Sequence, residues 1–210
     1  DNLIEKFIEK SWQNGVDVFR IFDSLNWMGN IAPSIEMVRK RTNGLAEASL
    51  CYTGDILDPS KKTYTLKYYI QLAKDIENAG AHILGIKDMS GLLKPYAAKE
   101  LVSALKDAVK IPIHLHTHDT SSLQSAMYLQ AIEAGVDVVD CALGALSGNT
   151  SQPNLNAIAE MMRFHKRENP MNIESLNQYS NYWEKTREYY YPFESDMKAG
   201  SAEVFRHEIP

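Results

Sequence analysis

Three of the six histidines fall within five residues of the segment Ile111-Pro112-Ile113-His114-Leu115-His116-Thr117-His118-Asp119-Thr120. Side chains alternate along a strand, so His114, His116 and His118 share one face. Same-face neighbours stand about 7 Å apart, near enough for two imidazoles to converge on one metal ion. His116 and His118 lie closest to the C-terminal end of this strand. His114 lies deeper and is the weakest candidate ligand. The alternative is a buried strand of hydrogen-bonded histidines, but the density of imidazoles favours metal binding.

The second signal is Ile83-Leu84-Gly85-Ile86-Lys87-Asp88-Met89-Ser90-Gly91, where a lysine closes an apolar strand one βα unit ahead of the histidines. A lysine in an apolar place is readily neutral, because burial penalises the ammonium. A neutral amine can act as a base, form a Schiff base, or add carbon dioxide to give an anionic carbamate whose oxygen could reach a metal. The competing reading is a lysine whose stem packs and whose head pairs with Asp88. Beside the histidine strand, the chemical reading is preferred.

Four weaker signals follow. Arg20 and Asp23 end an earlier strand, where the arginine could clamp a carboxylate and the aspartate could support a ligand. An ion pair inside the sheet is the plainer alternative. Glu47, Tyr52 and Asp55 surround the next strand end. Cys51 and Cys141 read as small core residues, since neither has a base beside it in sequence. The polar loop Ser147-Gly148-Asn149-Thr150-Ser151-Gln152-Pro153 either lines a substrate mouth or caps the helix that follows.

These residues need a scaffold, and one pattern recurs along the chain. A polar helical segment ends, usually in Gly, and an apolar run rich in β-branched residues follows. Helices are expected over 2–13, up to 43, from about Lys62 to 79, over 94–108 and over 121–134. Gly15, Gly44, Gly80 and Gly135 stand where a helix C-terminus needs a left-handed residue. Strands are expected to start near 16, 45, 81, 111 and 136, at the spacing of βα units. Their apolar runs suit parallel strands buried on both faces. The fold class is α/β. No Gly-x-Gly-x-x-Gly follows a strand and no phosphate loop is present, so a (β/α)8 TIM barrel is preferred to a nucleotide-binding open sheet. Five strands leave such a barrel incomplete, expected on the N-terminal side. A short extra strand near 145–150 is possible. After about residue 168 the rhythm stops, and 172–191 reads as an aromatic helical extension. The division is 1–168 for the partial barrel and 169–210 for helices packed on it.

The 210 residues are 44% hydrophobic and 23% charged, which suits a soluble globular fold. A net charge of −5 argues against a dedicated nucleic-acid binder. No apolar run approaches the roughly 18 residues of a membrane span, and no signal peptide is visible. Two distant cysteines fit a reducing cytosolic setting. The chain starts at Asp1 without a methionine and stops at Pro210 in ordinary sequence, as expected for a piece of a larger polypeptide.

Taken together, these segments resemble the carboxyltransferase domains of pyruvate carboxylases. The match is carried by Phe19-Arg20-Ile21-Phe22-Asp23-Ser24-Leu25-Asn26, Gly85-Ile86-Lys87-Asp88-Met89-Ser90-Gly91-Leu92-Leu93-Lys94-Pro95, His114 to Thr120 and Ser147 to Pro153. It continues through Tyr182-Trp183-Glu184, Tyr191-Pro192-Phe193-Glu194 and His207-Glu208-Ile209-Pro210, covering essentially the whole chain. The middle motifs are shared with the transcarboxylase large subunit, the oxaloacetate decarboxylase alpha chain and, more distantly, 3-hydroxy-3-methylglutaryl-CoA lyase. The resemblance implies a divalent metal, zinc or manganese, held by an aspartate, a carboxylated lysine and two histidines. By motif, Lys87 matches that lysine, and His116 and His118 match the histidines. The aspartate and the substrate-clamping arginine and tyrosine belong ahead of this chain, and a proton-shuttling threonine belongs beyond residue 210. The implied reaction moves a carboxyl group from carboxybiotin to pyruvate, giving oxaloacetate. Biotin would ride on a separate carrier domain and ATP would be used at a separate biotin carboxylase domain of the same polypeptide. The parent would be a homo-oligomer, a tetramer, in the bacterial cytoplasm or, in a eukaryote, the mitochondrion. This segment alone would be inactive. The alternatives are a related metal-dependent decarboxylase or transcarboxylase subunit, or a non-catalytic segment of such an assembly.

Overall fold

The structure is a computed structural model and describes residues 2–194 and 197–208. Asp1 and the closing Ile209-Pro210 of the last sequence motif lie outside the described residues, as do Ser195 and Asp196.

Five parallel strands stand side by side in chain order: β1 (Val18–Phe22), β2 (Leu45–Cys51), β3 (Ile83–Asp88), β4 (Ile113–Thr117) and β5 (Val138–Val139). Between them run α1 (Asn2–Gln13) before β1, then α2 (Met28–Arg41), α3 (Leu66–Asn78), α4 (Pro95–Ala108) and α5 (Gln124–Glu133). Parallel neighbours need a crossover, and α2 to α5 each supply one. Four strands begin two residues later than expected, because the residues after Gly15, Gly80 and Gly135 and those before Ile113 are spent on the turn.

Alternation sorts the side chains. Ala46, Ala48, Leu50, Leu84, Ile86, Ile113 and Leu115 are fully buried under helix residues such as Ile35, Val38, Ile76, Leu101 and Leu105. Each buried Leu or Ile contributes about 1.5–3 kcal/mol. The opposite, inner face carries Arg20, Glu47, Ser49, Gly85, Lys87, His114 and His116, by the same alternation.

Two expectations are corrected. Gly44 does not end α2 in a left-handed conformation. Thr42 ends it in extended backbone, and a Cβ on Gly44 would lie 2.9 Å from the Asp17 carbonyl oxygen, so close approach to β1 requires the glycine. Residues 145–150 form no strand. Gly144–Leu146 is a 3-10 turn, and positive φ at Gly148 and Asn149 bends the chain away from any extended run. A single parallel bridge, Ala142 to Asn154, remains there.

Beyond α6 (Leu155–Met161), the helix α7 (Ile173–Arg187) has no buried residue. It is tied back by polar contacts: the Ala145 amide donates to Ser180 Oγ at 2.9 Å, and Arg187 Nη1 donates to the Ala145 carbonyl at 2.6 Å. The last described segment crosses back over the strand ends. The Ser201 amide donates to the Thr120 carbonyl, Lys61 pairs with Glu208, and the short helix α8 (Val204–His207) buries Val204. No helix among the described residues is long and apolar enough to cross a membrane.

Candidate metal centre

β3 and β4 pair so that Lys87 lies level with His116, and on its other side Lys87 is level with Cys51 of β2. The sequence reading placed Lys87 and His116 at neighbouring strand ends, and the register brings them together. His118 follows β4 at the same end, and its Nε2 lies 3.3 Å from Nε2 of His116.

The other nitrogen of each ring fixes its tautomer. His118 Nδ1 is 2.7 Å from the Thr150 carbonyl oxygen, which only accepts, so Nδ1 carries the proton. His116 Nδ1 is 2.7 Å from Asp140 Oδ2, and again the imidazole donates. In the neutral rings both Nε2 atoms then present lone pairs to one another. A separation of 3.3 Å is also about that between two imidazole nitrogens on one tetrahedral ion with bonds of roughly 2.0–2.1 Å. The donor chemistry therefore fits a shared divalent cation. Among the described residues, no group of three His, Cys, Asp or Glu side chains forms such a site unaided. A further donor is required, and Lys87 is the inner-face residue level with His116.

Lys87 does not pair with Asp88. Alternation turns Asp88 to the helix side, where it is fully buried and accepts from the Leu92 and Leu93 amides and the Thr117 hydroxyl. The Lys87 Nζ instead lies 4.6 Å from the centroid of Phe22, a cation–π contact.

Beneath the histidine pair lies an ion network. Arg20 donates to Glu47 at 2.6 Å and to Asp140 at 2.7 Å. His114 bridges the same two acids, Nδ1 to Glu47 at 3.0 Å and Nε2 to Asp140 at 2.7 Å. Burial alone would lower the His114 pKa, but the bonds to Asp140 and Glu47 raise it to about 9. Burial likewise pushes the acids up, and the hydrogen bonds reverse this: His114 and Arg20 hold Glu47 below its ordinary value, while His114, His116 and Arg20 hold Asp140 well below. Two cations and two anions thus balance within this network. Arg20 takes the plainer of its two expected roles, an ion pair inside the sheet. Asp23 is not part of it. Its carboxylate accepts from the Leu25 and Trp27 amides and from Asn30, organising the turn into α2.

The remaining candidates are structural. Tyr52 stacks on Tyr69 at 5.3 Å, and Asp55 pairs with Lys94 at 2.8 Å. Burial pushes the Cys51 thiol up to about 11 and the Cys141 thiol up to about 12, as suits core thiols. The 147–153 loop neither caps α6, a task done by Asn154 Oδ1, nor stands idle: its Thr150 carbonyl orients His118. Sequence reasoning missed Asp140, and it singled out the loop holding Thr150 without the role of that residue's carbonyl. Asp140 follows Val138 and Val139 at the end of β5, as Lys87 follows an apolar run in β3.

A parallel α/β sheet with its polar groups gathered on the inner face and at the C-terminal strand ends defines a barrel-type enzyme domain. The chain belongs to the HMGL-like family, whose model matches residues 15–182. It is 52% identical over 210 residues to pyruvate carboxylase of Bacillus subtilis, and 45% identical over 213 residues to the mitochondrial pyruvate carboxylase of Homo sapiens. In both comparisons all of this chain is covered but only 18% of the relative, so the chain spans under a fifth of those proteins. The carboxyl transferase domain of Rhizobium etli pyruvate carboxylase, solved with pyruvate, superposes with a TM-score of 0.97 at 48% identity, covering 100% of this chain and 35% of that one. The incomplete (β/α)8 barrel is thereby established.

Proposed function

We propose that this chain is the metal-bearing part of a pyruvate carboxylase carboxyltransferase domain, moving a carboxyl group from carboxybiotin to pyruvate. The observation that carries the reading is the pair of Nε2 atoms 3.3 Å apart, with both Nδ1 atoms committed elsewhere. The likeness to pyruvate carboxylases along the whole chain supports the same reading. Lys87, His116 and His118 are the proposed ligands, with Lys87 acting as a carbamate. A bound zinc or manganese ion would stabilise negative charge developing on pyruvate as its methyl proton leaves. In the overall reaction carboxybiotin yields carbon dioxide, the pyruvate enolate attacks it, oxaloacetate forms, and the proton passes to biotin. This chain's contribution is positional: β3 and β4 set Lys87 level with His116, Thr150 and Asp140 fix the two imidazole tautomers, and the 197–208 segment covers nearby strand ends.

The domain reading is a partial barrel over 1–168 with a helical extension over 169–210. Biotin and ATP belong to separate carrier and carboxylase domains, and the assembly is proposed as a tetramer in the bacterial cytoplasm or the mitochondrion. The test is anomalous scattering at the zinc and manganese edges on crystals of the whole protein, with an assay of pyruvate-dependent oxaloacetate formation. A peak bridging His116, His118 and an oxygen beyond Lys87 Nζ, with activity, supports the proposal. A bare Lys87 with no peak refutes the metal assignment, and absent turnover of pyruvate refutes the substrate.

A further inference from the structure

Asp140 is the most heavily engaged side chain on the inner face. Its Oδ1 accepts from His114 Nε2 at 2.7 Å, and its Oδ2 accepts from both Arg20 Nη1 and His116 Nδ1 at 2.7 Å. Its backbone is held on both sides as well. The Asp140 amide donates to the Leu115 carbonyl at 3.1 Å, and the Tyr128 hydroxyl donates to the Asp140 carbonyl at 2.6 Å. Glu47 shares two of these partners, Arg20 and His114, yet makes no bond to His116.

We propose that Asp140 is a positioning residue: it holds His116 in the tautomer that aims the Nε2 lone pair at the metal, and Arg20 and His114 hold Asp140. The assignment rests on the metal reading above. A carboxylate accepting from the far nitrogen of an imidazole fixes the ring's orientation and raises the basicity of the ligating nitrogen. The adjacent contacts explain why that carboxylate cannot turn away. Both oxygens are occupied, and rotation would break a bond to Arg20 or His114. Thr150 serves His118 in the same way through a backbone carbonyl, which substitution cannot remove, so Asp140 is the testable half of the arrangement.

The experiment uses the whole protein loaded with Co2+, comparing the parent with Asp140→Asn, Asp140→Glu, Glu47→Gln and His118→Ala. Three readouts are taken on each: the cobalt absorption spectrum, the rate of cobalt loss to EDTA, and the urea midpoint. Asp140→Asn is expected to speed cobalt loss about 10–100-fold and to alter the spectrum. Glu47→Gln removes a charge from the same network and should lower the urea midpoint while leaving spectrum and loss rate as in the parent. Asp140→Glu keeps the charge for Arg20 and His114, so it should fold, and is expected to fall between parent and Asp140→Asn in loss rate. The inference is overturned if Asp140→Asn retains cobalt like the parent, or if Glu47→Gln loses it equally fast, since both outcomes leave only a general structural role. A parent that takes up no cobalt, or a His118→Ala variant that retains it fully, overturns the metal reading itself and with it the role of Asp140.

Discussion

Arg20 on β1 reaches Asp140, one residue past β5, at 2.7 Å. In a flat sheet the four intervening gaps of about 4.8 Å would hold those strands roughly 19 Å apart. The contact therefore requires the sheet to curl, with its inner face closing on itself. Arg20→Met should test how much of the curl depends on charge. The variant leaves Glu47, whose side chain is 4% exposed, with His114 alone as its cation. Loss of one partner from a buried pair costs roughly 3–5 kcal/mol, and the partial exposure of Arg20 argues for the low end. A urea midpoint unchanged from the parent would show that the network contributes nothing to closure.

His82 gives the fold an acid-side sensitivity. Its Nδ1 accepts from the Ala46 amide at 2.9 Å, tying the start of β3 to β2. Burial, and then the Arg39 guanidinium 3.1 Å from Nε2, lower its pKa from 6.5. The folded state thus binds fewer protons than the unfolded chain, so this contribution is present above pH 6.5 and is lost as pH falls below it. From about pH 7.5 to about pH 5.5 the parent's urea midpoint should fall relative to that of His82→Asn, which keeps an acceptor but does not titrate. Equal differences in the two proteins would remove His82 from the account.

Gly85 is required by its neighbour rather than by its backbone. It sits level with Ser49 and His114, and a Cβ there would lie 2.0 Å from Ser49 Oγ and 2.9 Å from Ser49 Cβ. Gly85→Ala should cost roughly 1–3 kcal/mol through overpacking. Ser49→Gly in the same chain should recover most of that loss. A double-mutant cycle with no coupling between the two positions would contradict the steric reading.

The helix-to-strand rhythm was legible in the sequence because both its signals are local. The C-terminal glycines and the apolar runs located the starts of all five strands to within two residues. The placement of Lys87, His116 and His118 at neighbouring strand ends was legible for the same reason, since they are polar residues closing apolar strands. What the sequence hid is long-range. Arg20 and Asp140 stand 120 positions apart, and nothing local says that a curled sheet brings them together. The role of Thr150 was hidden differently: it works through its carbonyl, and every residue has one. The Lys87–Asp88 pairing failed because adjacent strand residues point to opposite faces, a rule already available from the period of two.

The Lys87 assignment can be tested apart from any likeness to relatives. A carbamate ligand needs a primary amine that can lose its proton, and neither methionine nor arginine supplies one. Lys87→Met keeps an unbranched apolar stem beside Phe22, so the cation–π contact is lost but the packing is largely retained. Such a contact is worth about 0.5–1 kcal/mol at an exposed site and about 2 when desolvated, so the fold should survive. Metal content by elemental analysis, measured on the whole protein, should collapse in Lys87→Met and in Lys87→Arg alike, together with oxaloacetate formation. Arginine discriminates between the possible roles of the lysine. If Lys87 serves only as a fixed positive charge, Lys87→Arg should retain metal and much of the activity. If it supplies a ligand oxygen through a carbamate, Lys87→Arg should be as empty as Lys87→Met. His114→Gln gives the reference for loss of one support of Asp140: it should lower the urea midpoint, while the metal stays bound and is lost to EDTA more slowly than from Asp140→Asn.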